Sequence, residues 1–300
     1  MTMNHFIKRS VFFIGLILAF FGFNFASNTA LFHYGRLPIK KAHVLIAGDS
    51  HLQRSLNPRY FNSAVNVSQP AEPMVLTYWK LKYLFNKASF DTLLLGFAHH
   101  NISAYNDQKL YSHAWAYEMF RRTYAIQDIE SVDGLRIDRN QLYLAYFRNM
   151  CLFPHTNHFN FIGGYVNSNK SQVTDAQVTA QRRYYVEETE LGVSETTVWC
   201  VDSIIRLCRT HGVVPVLIST PVHSSYFKLI PEAIMKRYSM EKERLVGEEI
   251  AVYDLTESFY DDVFYLNADH LNAKGASDFT VEFIGLLNGR QRKARTNRMD

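Results

Sequence analysis

The apolar positions along the chain fall into three kinds of run, and each kind predicts a different element. The first is Val11 to Phe23, VFFIGLILAFFGF, apolar on every side and continued by Phe25 and Ala26, with Lys8 and Arg9 just ahead of it. A positive patch followed by an apolar stretch short for a membrane span has the form of a signal sequence. Residues 1–27 are therefore expected to be a signal anchor or a signal peptide. Phe25-Ala26-Ser27 is only a fair cleavage site, which favours the anchor. Either way the positive-inside rule leaves the rest of the chain outside the cytoplasm, periplasmic or at the cell surface, anchored to the inner membrane or secreted. Residues 28–41, with Gly35 and Pro38, read as a linker.

The second kind of run is short and nearly continuous. Ala42–Ala47, Ala64–Val67, Thr92–Gly96, the segment VVPVLIST and the segment IAVYDL from Ile250 are apolar on both faces, as strands of a covered parallel sheet are. The third kind repeats every three or four residues. Met74, Tyr78, Leu81 and Phe85 mark a helix between the second and third strands, and Val198, Val201, Ile204, Ile205 and Cys208 mark another, with Ser194 placed to cap it and Gly212 to stop it. A last helix is expected from about Lys274 to Leu287. Strands alternating with helices predict an α/β fold built on a parallel, doubly wound sheet over 42–288. The less regular stretch 104–190 reads as an insertion able to form a cap, and 289–300 as a basic tail.

Composition narrows the field. The 300 residues are 47% hydrophobic and 20% charged, enough for one sizeable core. The net charge of +4 is partly due to Arg290, Arg292, Lys293, Arg295 and Arg298 of the tail, so no basic face for nucleic acid is expected. The three cysteines, Cys151, Cys200 and Cys208, fit no metal or disulfide spacing and read as free thiols. His155 and His158 lack a third ligand at a recognisable spacing, so no metal is expected. There is no GxGxxG after a strand and no P-loop, so no cofactor is expected either.

The polar clusters carry the chemistry. GDSH, SQPAEP, FAHHN and STPVH follow the first four strands, and LNADHLN follows the fifth after a short loop. Ligands of open parallel sheets bind at this carboxyl rim. A serine needs a base to take its proton, and Ser50 and His270 reach the same rim from opposite ends of the sequence. The plainer reading of the same two residues is a helix cap and a packed imidazole.

GDS after the first strand together with NADHLNAKGA resembles the SGNH (GDSL-type) hydrolase superfamily, in particular its extracytoplasmic branch with the polysaccharide O-acetyltransferases. The resemblance runs from about Val44 to Phe283 in motif order. It implies a three-layer, flavodoxin-like fold, with Ser50 as nucleophile, His270 as general base and the Ser50 amide as one oxyanion donor. The family's second donor is a glycine amide, for which Ala71 is the nearest substitute. Its third is an Asn at the position of Ala98, so that Asn101, His99 or His100 would have to stand in. The family's Asp three residues before the His is Asn267 here, while Asp269 adjoins His270. His223, after the fourth strand, is a candidate for the pocket lining. The resemblance implies a serine esterase or O-acyltransferase acting on a cell-envelope or exopolysaccharide glycan, acylated or as acceptor. The alternative is an impaired domain that binds glycan or supports a membrane acyltransferase.

Overall fold

The structure is a computed structural model and describes residues 3–258 and 260–296, with side chains as far as residue 289. Along the chain run α1 (Met3–Tyr34), β1 (Val44–Ala47), α2 (Ser50–Ser55), β2 (Ala64–Asn66), α3 (Met74–Phe85) and β3 (Thr92–Gly96). They are followed by α4 (Arg139–Phe147), α5 (Ala176–Tyr184), α6 (Glu195–His211), β4 (Val214–Ser219), α7 (Glu232–Gly247), β5 (Ala251–Asp254) and α8 (Ala273–Thr296). Shorter helical turns fill the gaps.

Two compact units result, each made of two chain segments. One comprises residues 1–38 and 109–161, the other residues 39–108 and 162–300.

The second unit holds the sheet, in the order β2-β1-β3-β4-β5, with every pairing parallel. This is the expected α/β architecture, in a flavodoxin-like strand order that reverses between β1 and β3. Continuous apolar strands arise because both faces are covered. Ile46, Leu94, Val216 and Ile218 pack with Leu52 of α2 and with Phe279 and Phe283 of α8, all buried. The long helix α6 begins and ends where its sequence says: the Ser194 side chain accepts from Thr197 N, and Gly212 takes φ 67. That left-handed turn is open to glycine at no steric cost, and a serine cap of this kind contributes about 1 kcal/mol.

The first unit departs from the expected plan. The segment 28–41 is not a linker throughout, because α1 continues through Asn28 to Tyr34. Asn24 and Asn28 are buried on it, their side-chain amides bonded to carbonyls of the 149–153 segment. Polar residues with buried partners fix a helix that apolar periodicity does not report. The insertion also divides, because residues 109–161 join α1 and residues 162–190 join the sheet unit. The basic side chains of the tail lie outside the described residues.

Candidate active site

The site is built at the switch point between β1 and β3. Gly48, just after β1, and Gly96, the last residue of β3, lie in close contact: a Cβ on Gly48 would stand 3.3 Å from the Gly96 backbone, and Gly48 has φ +155. Asp49 then caps α2, its carboxylate accepting from His51 N at 2.9 Å. Ser50, the first residue of α2, is thereby raised on a short helix whose Leu52 is locked into the core.

His270 arrives on a tight hairpin in which Asn267 and His270 face each other across two turn residues. Asp175 holds that hairpin by accepting from Ala268 N at 2.9 Å. The result is a continuous chain of contacts. Ser50 Oγ is 2.8 Å from His270 Nε2, and His270 Nδ1 is 2.9 Å from Asn267 Oδ1. Ser50 Oγ is the donor in the first bond if His270 is neutral with its proton on Nδ1, the tautomer that Asn267 selects.

Asp269 Oδ1 is nearer still to Nδ1, at 2.7 Å, but has no hydrogen-bond partner among the described residues. The N–H points at the Asn267 oxygen, and the carboxylate lies beside it. Around His270 Nδ1, Asn267 thus supplies a hydrogen-bond acceptor and Asp269 a negative charge.

Asp269 is fully buried, and its other oxygen is bonded to the Arg183 guanidinium. Burial alone would raise its pKa, but Arg183 and then His270 hold it well below the usual carboxylate range. Arg183 is itself buried, on α5, and is kept firmly protonated by Asp269 against the cost of its own burial. Its Nη2 also stands 3.5 Å from His51 Nε2.

His51 forms the floor of the cluster. Its ring stacks on His100 with centroids 3.8 Å apart and lies 4.6 Å from that of His270. Burial, and then the neighbouring His100, push its pKa down to about 3, so it stays neutral.

The remaining expected residues take different places. His100 Nε2 meets Asp49 Oδ2 at 2.7 Å, and Asn101 Nδ2 donates to the same oxygen at 3.1 Å while its Oδ1 accepts from Ala98 N. Both therefore hold the acid of the GDSH turn. Ala71 has φ 58, the left-handed backbone that a glycine would take freely and that costs an alanine about 1–2 kcal/mol. His99 turns away to Tyr238, ring centroids 4.1 Å apart. His223 caps the turn at Ser224–Phe227 and bonds Asp262 at 2.9 Å, so its imidazole is occupied by that loop.

Sequence reasoning misses Arg183 and His51. The first carries a signal: Ala176, Thr179, Ala180, Arg183 and Tyr184 are buried at helical spacing, so an arginine sits within an inward stripe. His51 is visible only as the fourth letter of GDSH. The ligand atoms of His51, Asp269 and His270 lie within 4.8 Å of one another, close enough for a metal ion. The Arg183 cation on Asp269 and the Ser50 hydroxyl on His270 Nε2 already occupy two of the three groups, so the donor set fits a cation poorly.

No family model and no curated protein matches the chain. Among solved structures it is similar to a Bacteroides fragilis protein assigned as an acylhydrolase, at 10% identity and TM-score 0.44, covering 85% of this chain and 92% of that one. It is also similar to a protein from Streptococcus pneumonia assigned as a platelet activating factor, at 11% identity and TM-score 0.44, covering 94% and 99%.

Proposed function

We propose that the chain is an SGNH-type serine hydrolase or O-acyltransferase that works outside the cytoplasm, anchored by α1, on acyl esters of a cell-envelope or exopolysaccharide glycan. The 2.8 Å approach of Ser50 Oγ to His270 Nε2 carries this reading. Nucleophile and base at that distance, with the base oriented by a third residue, are what acyl transfer through a serine requires.

In this reaction Ser50 Oγ attacks the acyl carbonyl carbon while its proton passes to His270 Nε2. The imidazolium so formed has Asp269 beside Nδ1, which supplies the counter-charge that Asn267 cannot. The tetrahedral oxyanion would be met by the amides of Ser50 and Ala71 and by the second N–H of Asn101. His270 then returns the proton to the leaving oxygen. A water or a sugar hydroxyl, deprotonated by the same imidazole, releases the acyl group from Ser50.

A second reading has one observation in its favour: Asn101 gives an N–H to Asp49, which weakens an oxyanion hole that already uses alanine where the family uses glycine. On that reading the domain binds glycan or supports a membrane acyltransferase without turning over.

The test is hydrolysis of p-nitrophenyl acetate by the full chain in detergent, beside Ser50→Ala and His270→Ala. Loss of more than about a hundredfold in both variants is the expected result. Equal rates in all three would sink the catalytic reading and favour the binding one.

A further inference from the structure

The unit containing α1 has an apolar surface that the reaction does not use. On α4, Leu142 and Ala145 face inward and are buried, while Tyr143 is 50%, Phe147 42% and, just beyond the helix, Phe153 64% exposed. Beyond its polar first turn, Arg139 to Gln141, this helix is apolar on both sides from Leu142 to Phe147, and such a segment belongs either in a protein core or in lipid. This one is not in a core.

What lies next to it identifies the cover. Phe21, Asn24 and Asn28 form a single stripe along α1, and this stripe holds the end of the α4 region. The Phe21 ring meets Phe147 with centroids 5.4 Å apart. Asn24 Nδ2 donates to Leu152 O at 3.1 Å, and Asn28 Nδ2 to Met150 O at 2.9 Å and Phe153 O at 2.8 Å. Asn28 Oδ1 in turn accepts from His155 N at 2.8 Å. The last carbonyls of a helical segment are ordinarily left to water. Here a neighbouring helix satisfies them, as a segment at membrane depth requires.

Length supplies the second argument. From Val11 to Phe20, just ahead of the contact at Phe21, α1 covers only about 15 Å at 1.5 Å per residue, half of the roughly 30 Å hydrocarbon layer. A bilayer spanned by α1 must therefore extend past the level of Phe21, where Phe147 stands.

We propose that Tyr143, Phe147 and Phe153 are seated in the bilayer beside α1, so that lipid covers this face and α1 is a permanent part of the folded unit. The inference rests on the reading of α1 as a membrane span.

The experiment uses the full chain in phosphatidylcholine vesicles, with Leu18→Trp, Phe147→Trp and Phe153→Trp made one at a time. The fluorescence added over the parent, which has three tryptophans, is measured with lipids brominated on their acyl chains and with aqueous iodide. Unchanged circular dichroism establishes that each variant folds. Added emission at all three positions that falls at least twofold with brominated lipid and is spared by iodide is the expected result. Lipid quenching at 18, with iodide quenching at 147 and 153, would overturn the seat and keep the span. No lipid quenching at 18 would overturn both. Protection of 147 and 153 from both quenchers would mean that protein covers them, which also overturns the proposal.

Discussion

Two carboxylates sit within the same site, both buried and both held ionised, yet their surroundings differ in kind. Asp49 is met by a ring nitrogen of His100, whose pKa burial pushes down, by an amide side chain and by a backbone amide. Asp269 is met by a full cation on one oxygen, and its other oxygen faces the His270 imidazole. The first arrangement saturates a carboxylate and fixes a turn. The second leaves one oxygen without a hydrogen bond beside His270 Nδ1, the atom on which charge would develop if His270 acts as the proposed base.

The difference can be broken most forcefully at Asp269. Asp269→Leu strands the Arg183 guanidinium in the interior, and urea unfolding is expected to show a loss of about 3–5 kcal/mol. Arg183→Met combined with Asp269→Leu should recover most of that loss while ester hydrolysis stays low. A single variant as stable as the parent would mean that the ion pair does not hold this region. Asp49→Asn tests the other environment. It keeps an acceptor for neutral donors, so a smaller cost of about 1–2 kcal/mol is expected, with hydrolysis largely retained.

Acid sharpens the comparison. His51 and His99 have native pKa values pushed to about 3 and about 4, foremost by burial, against about 6.5 when unfolded. Between those values the unfolded chain binds more protons, so stability must fall as the pH drops from about 6.5 towards 4. Asp49 and Asp269, with depressed native values, add their own loss only below about pH 4. Denaturation midpoints measured across this range should therefore decline in two stages, and His99→Phe should flatten the first. A flat profile above pH 4 would contradict the buried neutral histidines.

The smallest effect is expected at the hairpin. Because Asp269 already places negative charge beside His270 Nδ1, Asn267→Asp should change kcat for the acetate ester by no more than about threefold. A tenfold gain would show instead that Asn267 limits the base.

The sheet and its main helices are legible because burial leaves a period. The strand Thr92–Gly96 and the helix Met74–Phe85 occur at the residues their patterns indicate, and Ser194 and Gly212 bound their helix by local chemistry. Ser50, His270 and Asn267 are legible as motifs. The role of Asn101 is not, since an amide that serves Asp49 and one that faces a substrate have the same letter. Nor is the reach of α1, whose second half is set by hydrogen bonds to residues more than a hundred positions away. Patterns report how deeply a position is buried; the partner of a buried polar group depends on the tertiary fold.

The clamp between α1 and the 149–153 segment also sets a clock. Asn24 and Asn28 are separated by 128, 122 and 125 residues from Leu152, Met150 and Phe153, whose carbonyls they meet. At a synthesis rate of about 5–20 residues per second, α1 waits roughly 6–25 s before its partner leaves the ribosome. Throughout that interval two amides on an apolar helix lack their final acceptors, so this half of the molecule is most exposed to mispairing while it is being made.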